Sequence, residues 1–455
     1  ALVVLQLLLF SFIYASETGT VRFTDASGAD VLTYNEGDLL YVEVTDSDRN
    51  ADSGSVESIT LTVLSETETD GESLSLTETD INSGVFTGSM SFEENSPSSG
   101  DDLLQVSRGD QLTASYDDPQ NGFGNPETVD AYSYYGVSLK SGTLAEDEIW
   151  DTDGSPYLIT GDVTVPNGQS LTIEPGVEVR FTPLSDDQSS GEDLNRGELR
   201  IYGTLTAEGT ESDSITFTSN STSPSSGDWY GIYLRDGSSH GSFAYNKSEY
   251  TTYGIRSHNQ YGSSSDTTRI VHSLIQHTGY GLYFNYSYRT HIIEDNTIIN
   301  TSNYGIRIQY GNQNSIQILK RNVLEQTSSG IYINTSGITT ISENNISGTG
   351  GSYGIQTHHL YGLTLDGNIA QNFSTGLYIN DQNSNGVDSY EIINNDITNN
   401  GYGAQINYAS ANIENNIFSD NNSDGLYLTT DFTRPREVTV QYNSIINNGQ
   451  EGIDV

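Results

Sequence analysis

Acidic and amide side chains near the start of the chain have the spacing of a calcium-binding loop. The set comprises Asp46, Asp48, Asn50, Asp52 and Glu57. Carboxylate and amide oxygens are the ligands that Ca²⁺ prefers, and the glutamate falls at position twelve counted from the first aspartate. Because Ala51 replaces the turn glycine and the flanks are predicted strands, the pattern favours a calcium-binding β-loop and excludes a helical EF-hand. A solvated acidic turn is the alternative interpretation.

A second candidate site follows a Gly-aliphatic pair that recurs along the C-terminal part of the chain. Tyrosine follows the pair at Tyr233, Tyr283, Tyr332, Tyr378 and Tyr427, and Arg256, Arg307, Gln356 and Gln405 hold the same position in intervening repeats. In a strand this position points away from the face that buries the aliphatic residue. Tyrosine rings and planar polar groups can stack on and hydrogen-bond to sugars. The column therefore predicts a face that binds polysaccharide or cell-surface glycans, and a cross-strand ladder without a ligand is the alternative.

Two histidines extend this candidate glycan-binding set. The segment 353–362 reads Tyr-Gly-Ile-Gln-Thr-His-His-Leu-Tyr-Gly, and 253–262 is a related copy. The later copy is similar to the Tyr-Gly-Phe/Ile-Asp-Pro-His-Asp stretch of mannuronan C5-epimerases. His358 keeps the histidine of that family, whereas Gln356 and His359 stand where the family has aspartates. Since those carboxylates are missing, we assign His358 and His359 to the glycan-binding face, with ordinary surface histidines as the alternative.

No residue is predicted to be catalytic. Lyases of polysaccharides need carboxylates beside an Arg or Lys that removes a proton, and hydrolases need two facing carboxylates. From Gly231 onward the basic residues lie in no recognisable acidic cluster. The sequence thus favours a non-catalytic binding or adhesion protein. A polysaccharide lyase or uronate C5-epimerase is one alternative, and a structural filament or surface-layer subunit is another.

Composition restricts the partners further. Lys and Arg number 17 against 61 Asp and Glu, which gives a formal net charge of -44. Such a charge repels nucleic acid and anionic lipid, so neither is a predicted partner. The chain has no cysteine, so neither a disulfide nor a thiolate metal ligand is available.

The elements that position these residues are predicted by a repeat. The Gly-aliphatic pair recurs in nine steps between Gly231 and Gly452, which gives about 24.6 residues per step. An asparagine column precedes most of the glycines, at Asn296, Asn322, Asn344, Asn395, Asn415 and Asn443. This period with fixed Gly, Asn and aliphatic columns predicts a right-handed parallel β-helix whose asparagines form a ladder at one turn.

The start of the repeat carries turn motifs of a known fold family. Strands between 157 and 181 are separated by Pro166-Asn-Gly168 and Glu174-Pro-Gly176, and Gly203-Thr-Leu-Thr-Ala-Glu-Gly-Thr210 follows. In this order the motifs resemble the first coils of pectate-lyase-like right-handed β-helix proteins. The resemblance covers 157–455 and implies the fold. It leaves function open, because that family includes lyases, hydrolases, epimerases and adhesins.

The residues before the repeat form a different domain. Short alternating strands between 18 and 140 predict one β-sandwich. Its segments 44–52, Leu76-Thr-Glu-Thr79 and Gly84-Val-Phe-Thr-Gly88 resemble an immunoglobulin-like module of prokaryotic surface proteins, which implies display at a surface. Residues 141–156 are then a predicted linker.

The two ends of the sequence indicate export and continuation. Residues 1–16 read as the apolar core and cleavage site of a signal peptide whose start is missing, and no other segment is long and apolar enough to span a membrane. We therefore expect an extracellular or cell-surface protein. The chain stops on a repeat strand, and an uncovered parallel edge can pair with another chain. This predicts either that the β-helix is truncated at residue 455 or that it self-associates.

Overall fold

The computed structural model describes residues 17–235, 240–260, 267–381, 389–429 and 436–455. The predicted signal-peptide remnant, 1–16, lies outside these ranges. The chain separates into two compact units, residues 1–137 and 138–455. The described residues form almost entirely β-strands, with one short 3₁₀ helix at Ser47–Arg49 and no α-helix.

The first unit is a nine-stranded sheet around its own core. Its strands are β1 Thr20–Thr24, β2 Thr33–Tyr34, β3 Leu39–Thr45, β4 Ser58–Ser65, β5 Glu72–Glu78, β6 Val85–Glu93, β7 Leu103–Gln105, β8 Gln111–Asp118 and β9 Glu127–Tyr135. They pair in the order β1-β3-β6-β5-β4-β8-β9-β2, with β7 beside β6. Alternation explains the core, since Ile59, Leu61 and Val63 on β4 are buried while the residues between them are exposed.

This arrangement differs from the expected sandwich in one respect. One continuous hydrogen-bonded path joins the strands, where a sandwich has two separately paired sheets. Strand β1 at one end of the path also contacts β8 and β9, so the sheet curls around the core that it covers. The immunoglobulin-like resemblance of this unit stays an expectation.

The second unit is a parallel β-solenoid whose rungs each contribute strands to three faces. Face 1 consists of β11 Glu148–Trp150, β13 Ser170–Ile173, β16 Thr204–Glu208, β19 His240–Ala244, β22 Thr267–Val271, β25 Thr290–Glu294, β28 Ile316–Lys320, β31 Ile338–Ser342, β34 Gly362–Asp366, β37 Ser389–Ile393, β40 Ser410–Glu414 and β43 Val438–Gln441. Every strand pairs in parallel with the strand of the next rung. The predicted parallel β-helix is confirmed.

Face 2 carries the candidate tyrosine column. It consists of β15 Glu198–Ile201, β18 Trp229–Arg235, β21 Thr251–His258, β24 Tyr280–Asn285, β27 Tyr304–Gly311, β30 Ser329–Thr335, β33 Tyr353–His358, β36 Thr375–Asn380, β39 Tyr402–Asn407, β42 Leu426–Thr429 and β45 Ile453–Asp454. The long strand β12, Tyr157–Val165, precedes β15 on this face. Its first half pairs instead with face 3.

Face 3 closes each rung. It consists of β14 Glu178–Phe181, β17 Ile215–Ser219, β20 Asn246–Glu249, β23 Leu274–Thr278, β26 Thr297–Thr301, β29 Val323–Thr327, β32 Asn345–Gly348, β35 Ile369–Gln371, β38 Asp396–Thr398, β41 Ile417–Ser419 and β44 Ser444–Ile446. Inward aliphatic residues from the three faces form one continuous core, with Ile331, Ile341 and Ile346 as an example from one rung. Each such side chain contributes about 1.5–3 kcal/mol by leaving water.

The solenoid begins before the residue expected from the sequence. Strand β10, Ser138–Thr143, pairs in parallel with β12, and β11 pairs with β13. Residues 141–156, expected to be a linker, therefore contribute strands to the solenoid. Trp150 is buried and stacks on Tyr157 with ring centroids 4.8 Å apart, so the segment also adds to the core.

Glycine is needed in the repeat because adjacent rungs approach closely. A Cβ atom on Gly354 would lie 2.6 Å from the carbonyl oxygen of Gly376 in the next rung and 3.0 Å from the Ala370 side chain. Any larger residue would force these rungs apart, which explains the glycine column.

The asparagine ladder is present at the turn between faces 1 and 3, with two differences from the prediction. Its members are Asn296, Asn322, Asn344, Asn368, Asn395, Asn416 and Asn443, and each except the last donates from its side-chain amide to the next. Asn368 was not predicted, and Asn416 takes the place predicted for Asn415. Asn415 is exposed and has a φ of 56°. It occupies the left-handed turn position one residue earlier, where Asn is tolerated.

Candidate functional site

The candidate site is built on the outward side of face 2, where the predicted column is present. The strand registers align Tyr233, Arg256, Tyr283, Arg307, Tyr332, Gln356, Tyr378, Gln405 and Tyr427 on successive rungs. The preceding residues of these strands, such as Ile306 and Ile331, are buried. Because strands of adjacent rungs lie about 4.8 Å apart, tyrosines alternate with arginine or glutamine roughly every 9.6 Å.

Each arginine of the column lies among three tyrosine rings. The guanidinium carbon of Arg307 is 5.5 Å from the ring centre of Tyr283, 5.1 Å from Tyr304 and 5.0 Å from Tyr332. Such distances are those of cation–π contacts. Burial raises the pKa of Tyr283 and of Tyr304, so both phenols stay protonated near neutral pH.

A second tyrosine column, which sequence reasoning missed, begins the strands of face 2. It contains Tyr253, Tyr280 and Tyr304, with Tyr353 and Tyr402 further along. The ring centroids of Tyr253 and Tyr280 are 5.1 Å apart and nearly parallel, and those of Tyr280 and Tyr304 are 6.3 Å apart. The sequence signal was a tyrosine directly before the repeat glycine. The two columns together make an aromatic surface two residues wide.

A polar column borders the tyrosines on the other side. Two residues beyond the tyrosine or arginine, the strands present Arg235, His258, Asn285, Gln309, Asn334, His358, Asn380 and Asn407. Gln309 shows how the columns connect, because its amide donates to the Tyr283 hydroxyl at 2.9 Å and its oxygen accepts from Arg307 at 2.9 Å. Amide donors and acceptors therefore line the edge of the aromatic surface.

The two predicted histidines lie at this edge of the aromatic surface, one within the strand and one in the turn that follows. His358 is in the polar column, with its ring 5.6 Å from Tyr332 and 5.7 Å from Tyr378, and its Nε2 is 2.9 Å from the Gln356 amide. Burial, followed by the neighbouring His359, lowers the pKa of His358 to about 4. At neutral pH this imidazole is uncharged. His359 follows the strand with a φ of 57°, in the turn.

Tyr233, the first predicted member of the column, is not exposed as expected. It is 1% exposed, because the guanidinium carbons of Arg235 and Arg256 lie 5.3 Å and 4.6 Å from its ring centre. Burial raises its pKa to about 12. The exposed part of the column therefore begins beyond this residue.

An acidic loop closes this end of the tyrosine surface. Residues 182–197 leave the solenoid between β14 and β15, and the Glu192 carboxylate pairs with Arg235. Its second oxygen lies 3.9 Å from an Arg256 nitrogen. Sequence reasoning missed this contact, although the acidic loop interrupts the repeat between residues 181 and 198.

Two buried carboxylates hold the base of the acidic loop. Asp162 accepts hydrogen bonds from the Ser190 hydroxyl at 2.7 Å and from the Glu198 N–H at 3.0 Å. Glu198 in turn accepts from the Asp193 N–H at 3.2 Å. Burial raises the pKa of Glu198 to about 7, and the nearby Asp162 carboxylate adds to this rise.

The residues of the predicted calcium loop form hydrogen bonds within the first unit. Asp46 is buried and accepts from the Tyr116 hydroxyl at 2.5 Å and from the Asp48 N–H at 2.9 Å. The Asp52 N–H donates to Glu57 at 2.7 Å, and the Asn50 amide donates to Asn82 at 2.8 Å. The bonds to Asp46 from Asp48 and to Glu57 from Asp52 are local, whereas those from Tyr116 and to Asn82 join distant segments. Across the described ranges no group of three or more His, Cys, Asp or Glu side chains could hold a metal ion.

Comparison with known families agrees with the solenoid. The family described as "Right handed beta helix region" matches residues 308–455, and the family described as "Periplasmic copper-binding protein (NosD)" matches residues 186–361. Both matches lie in the second unit. The chain is a right-handed β-helix repeat protein. Within the part of the chain that the structure describes, no helix has the length and apolar character to cross a membrane.

One curated protein is similar in sequence to part of this chain. Protein bark beetle of Drosophila melanogaster is 34% identical over 96 residues, which is 21% of this chain and 3% of that protein. The chain thus spans only a small part of that relative's length.

Within the described residues, the chain does not bring together the ligands that are usual for copper. It has no cysteine, and its single methionine, Met90, is buried in the core of the first unit. Soft sulfur ligands and clustered imidazoles are the usual copper ligands. Since the described histidines do not gather in a group of three, these residues do not fit copper.

Proposed function

We propose that the tyrosine surface of face 2 binds carbohydrate and that the β-helix is a non-catalytic scaffold for it. One observation carries the proposal: two adjacent columns of tyrosines continue over many rungs, with amide and guanidinium groups between and beside them. Large aromatic surfaces that are partly exposed are uncommon without a ligand or partner. Here the rings lie on rigid strands, which is the arrangement that preorganises a binding site.

The chemistry of the surface suits sugars. A pyranose ring has an apolar face that can stack on tyrosine and hydroxyls that can pair with planar amides. Gln405 lies between Tyr378 and Tyr427 on successive rungs and is partly exposed, so a sugar can reach both kinds of group there. A linear oligosaccharide lying along the solenoid axis would meet tyrosines of the column about every 9.6 Å.

The same columns support binding over cleavage. Between residues 233 and 429 the column of alternating tyrosine with arginine or glutamine and the polar column beside it contain tyrosine, arginine, amides, histidine and threonine, and neither contains Asp or Glu. Hydrolysis by the common mechanism requires two carboxylates that flank the bond. A polysaccharide lyase or C5-epimerase is the competing function, and an unsaturated or inverted sugar product would establish it.

Export to the periplasm or cell surface is part of the proposal. The family that matches residues 186–361 is described as periplasmic, and the apolar segment 1–16 resembles a signal peptide. Polysaccharides and surface glycans lie in those compartments. A filament or surface-layer subunit is the other alternative, and electron microscopy of the purified protein tests it by showing ordered polymers or single rods.

Binding of neutral and acidic hexasaccharides, measured by isothermal titration calorimetry, tests the proposal. Tyr332→Ala and Tyr378→Ala should each weaken binding about tenfold, because a central aromatic contact is lost. Tyr442→Ala is the matched control, since Tyr442 is 78% exposed and lies in a turn after face 1. Absence of binding to every sugar tested, or equal losses in all three variants, would count against the tyrosine surface.

A further inference from the structure

The tyrosine surface contains one cation that is open to a ligand. Arg307 lies among Tyr283, Tyr304 and Tyr332 and donates to the Gln309 side-chain oxygen from Nε at 3.2 Å and from an Nη at 2.9 Å. It is partly exposed. Among the described residues no carboxylate forms an ion pair with it, although the chain carries 61 acidic side chains.

Most other cations of the solenoid are neutralised. Arg321 forms a bidentate pair with Asp295 at 2.7 Å, Lys320 lies 3.0 Å from Glu343, and Lys247 lies 2.8 Å from Glu249. With so many acidic groups available, pairing is the common outcome for a cation here. Arg307 differs because the residues that surround it in its column and in the adjacent columns are aromatic or amide.

Arg256 shows what a carboxylate does at the equivalent position. It occupies the same column two rungs earlier, and its guanidinium lies among Tyr230, Tyr233 and Tyr253 at 5.5, 4.6 and 4.9 Å. The Glu192 carboxylate of the acidic loop reaches this cage, 3.9 Å from Arg256. The protein thus places its own carboxylate beside one arginine–tyrosine cage and leaves the next cage open.

We propose that Arg307 binds the carboxylate of an acidic sugar, so that the surface selects glycans with a uronic acid residue at this rung. The inference rests on the proposed carbohydrate binding and adds the ligand class. The guanidinium is planar and always charged, and the N–H groups that do not donate to Gln309 suit a planar carboxylate. The following rungs of the column carry only neutral side chains, among them the partly exposed Gln405, so one acid group per bound segment is the recognised feature.

The net charge of the protein sets the conditions under which this selectivity appears. A charge of -44 repels a long polyanion at low ionic strength. Short oligosaccharides in about 0.15 M salt avoid this, because the screening length is then about 8 Å while a pair in direct contact is screened less. The test therefore uses hexasaccharides at physiological ionic strength.

The probes are β-1,4-linked hexasaccharides of glucuronic acid and of glucose, which differ only in the oxidation of C6. Calorimetry compares the wild-type protein with Arg307→Gln and with Arg321→Gln, which removes an arginine from the exposed turn before Asn322. The wild type should bind the acidic probe about tenfold more tightly, as expected for hydrogen bonds to a charged group. Arg307→Gln should abolish this preference, and Arg321→Gln should keep it.

The outcomes separate the two proposals. If the wild type binds both probes equally, or if Arg307→Gln keeps the preference for the acidic probe, carboxylate recognition by Arg307 is wrong and carbohydrate binding stands. If neither probe binds while circular dichroism shows a folded β-solenoid, neither proposal holds for these sugars, and the uronate inference falls with the site on which it rests.

Discussion

The side-chain amide of Asn344 donates to Oδ1 of Asn368 at 2.9 Å, one rung further along the solenoid. The same amide also donates to the carbonyl oxygens of Leu319 and Ser342, each at 3.0 Å. Asn344 is 1% exposed, so water cannot replace these partners. The ladder therefore satisfies buried backbone groups at a turn where the strand hydrogen bonds stop.

Replacing Asn344 by Ala should destabilise the solenoid by about 3 kcal/mol, because several buried polar groups lose their partners together. The midpoint of urea unfolding, followed by circular dichroism, measures the effect. Asn415→Gly is the matched control, since Asn415 is exposed and glycine accepts its left-handed backbone. Equal destabilisation by both variants would contradict a special role for the ladder.

Stability of the solenoid should fall as the pH rises from about 5 to about 8. Burial raises the pKa of Glu198 to about 7, whereas an unfolded glutamate titrates near 4.3. The folded state therefore holds this proton more tightly, so its stabilising effect is complete below the unfolded pKa and is lost as the pH passes the folded pKa. Glu198→Gln should flatten this dependence and stabilise the protein at pH 8 by about 1–3 kcal/mol.

Melting temperatures between pH 5 and pH 8 test this prediction, with Glu178→Gln as the control. Glu178 begins β14 and pairs with Arg180 at 2.9 Å at a partly exposed position. If Glu198→Gln leaves the pH dependence of the melting temperature unchanged, the pKa of this carboxyl does not differ between the folded and unfolded states.

The hydrogen bond between Tyr116 and Asp46 should stabilise the first unit. Both residues are 2% exposed, and the hydroxyl lies 2.5 Å from the carboxylate. Tyr116→Phe leaves that buried oxygen without its partner, which should cost about 1–3 kcal/mol of unfolding free energy. Urea unfolding measures the loss. Tyr132→Phe, at a 55% exposed position on β9, should change the midpoint little, and similar effects of the two variants would argue against the pair.

Removing the carboxylate of Glu192 should create a second place for an acidic sugar. Glu192→Gln frees the cages around Arg235 and Arg256 from their internal anion. Affinity for the glucuronic acid hexasaccharide should then rise about three- to tenfold, with affinity for the glucose hexasaccharide nearly unchanged. Calorimetry against Glu437→Gln, a change at an exposed residue, provides the comparison. An increase for both probes would indicate that the acidic loop blocks access instead of supplying a competing carboxylate.

Much of the fold could be read from local pattern. The Gly-aliphatic repeat predicts the strands of face 2 because a solenoid uses the same short-range alternation in every rung. The alternation of Tyr with Arg or Gln was visible for the same reason, since equal repeat spacing places Tyr283, Arg307 and Tyr332 in register. The predicted asparagine column was wrong at Asn415, because the repeat spacing varies there. A shift of one residue, to Asn416, decides which side chain turns inward.

The sequence by itself determined the parallel β-helix, its repeat and the tyrosine column, because these follow from periodic local constraints. Only the tertiary structure decided how the residues act together. It placed the Glu192 carboxylate beside Arg256, buried Tyr233, and joined Asp46 to Tyr116 by a hydrogen bond. These contacts join segments that are distant in the chain or that depend on the path of a loop. Their geometry is set by packing, which no repeat pattern encodes.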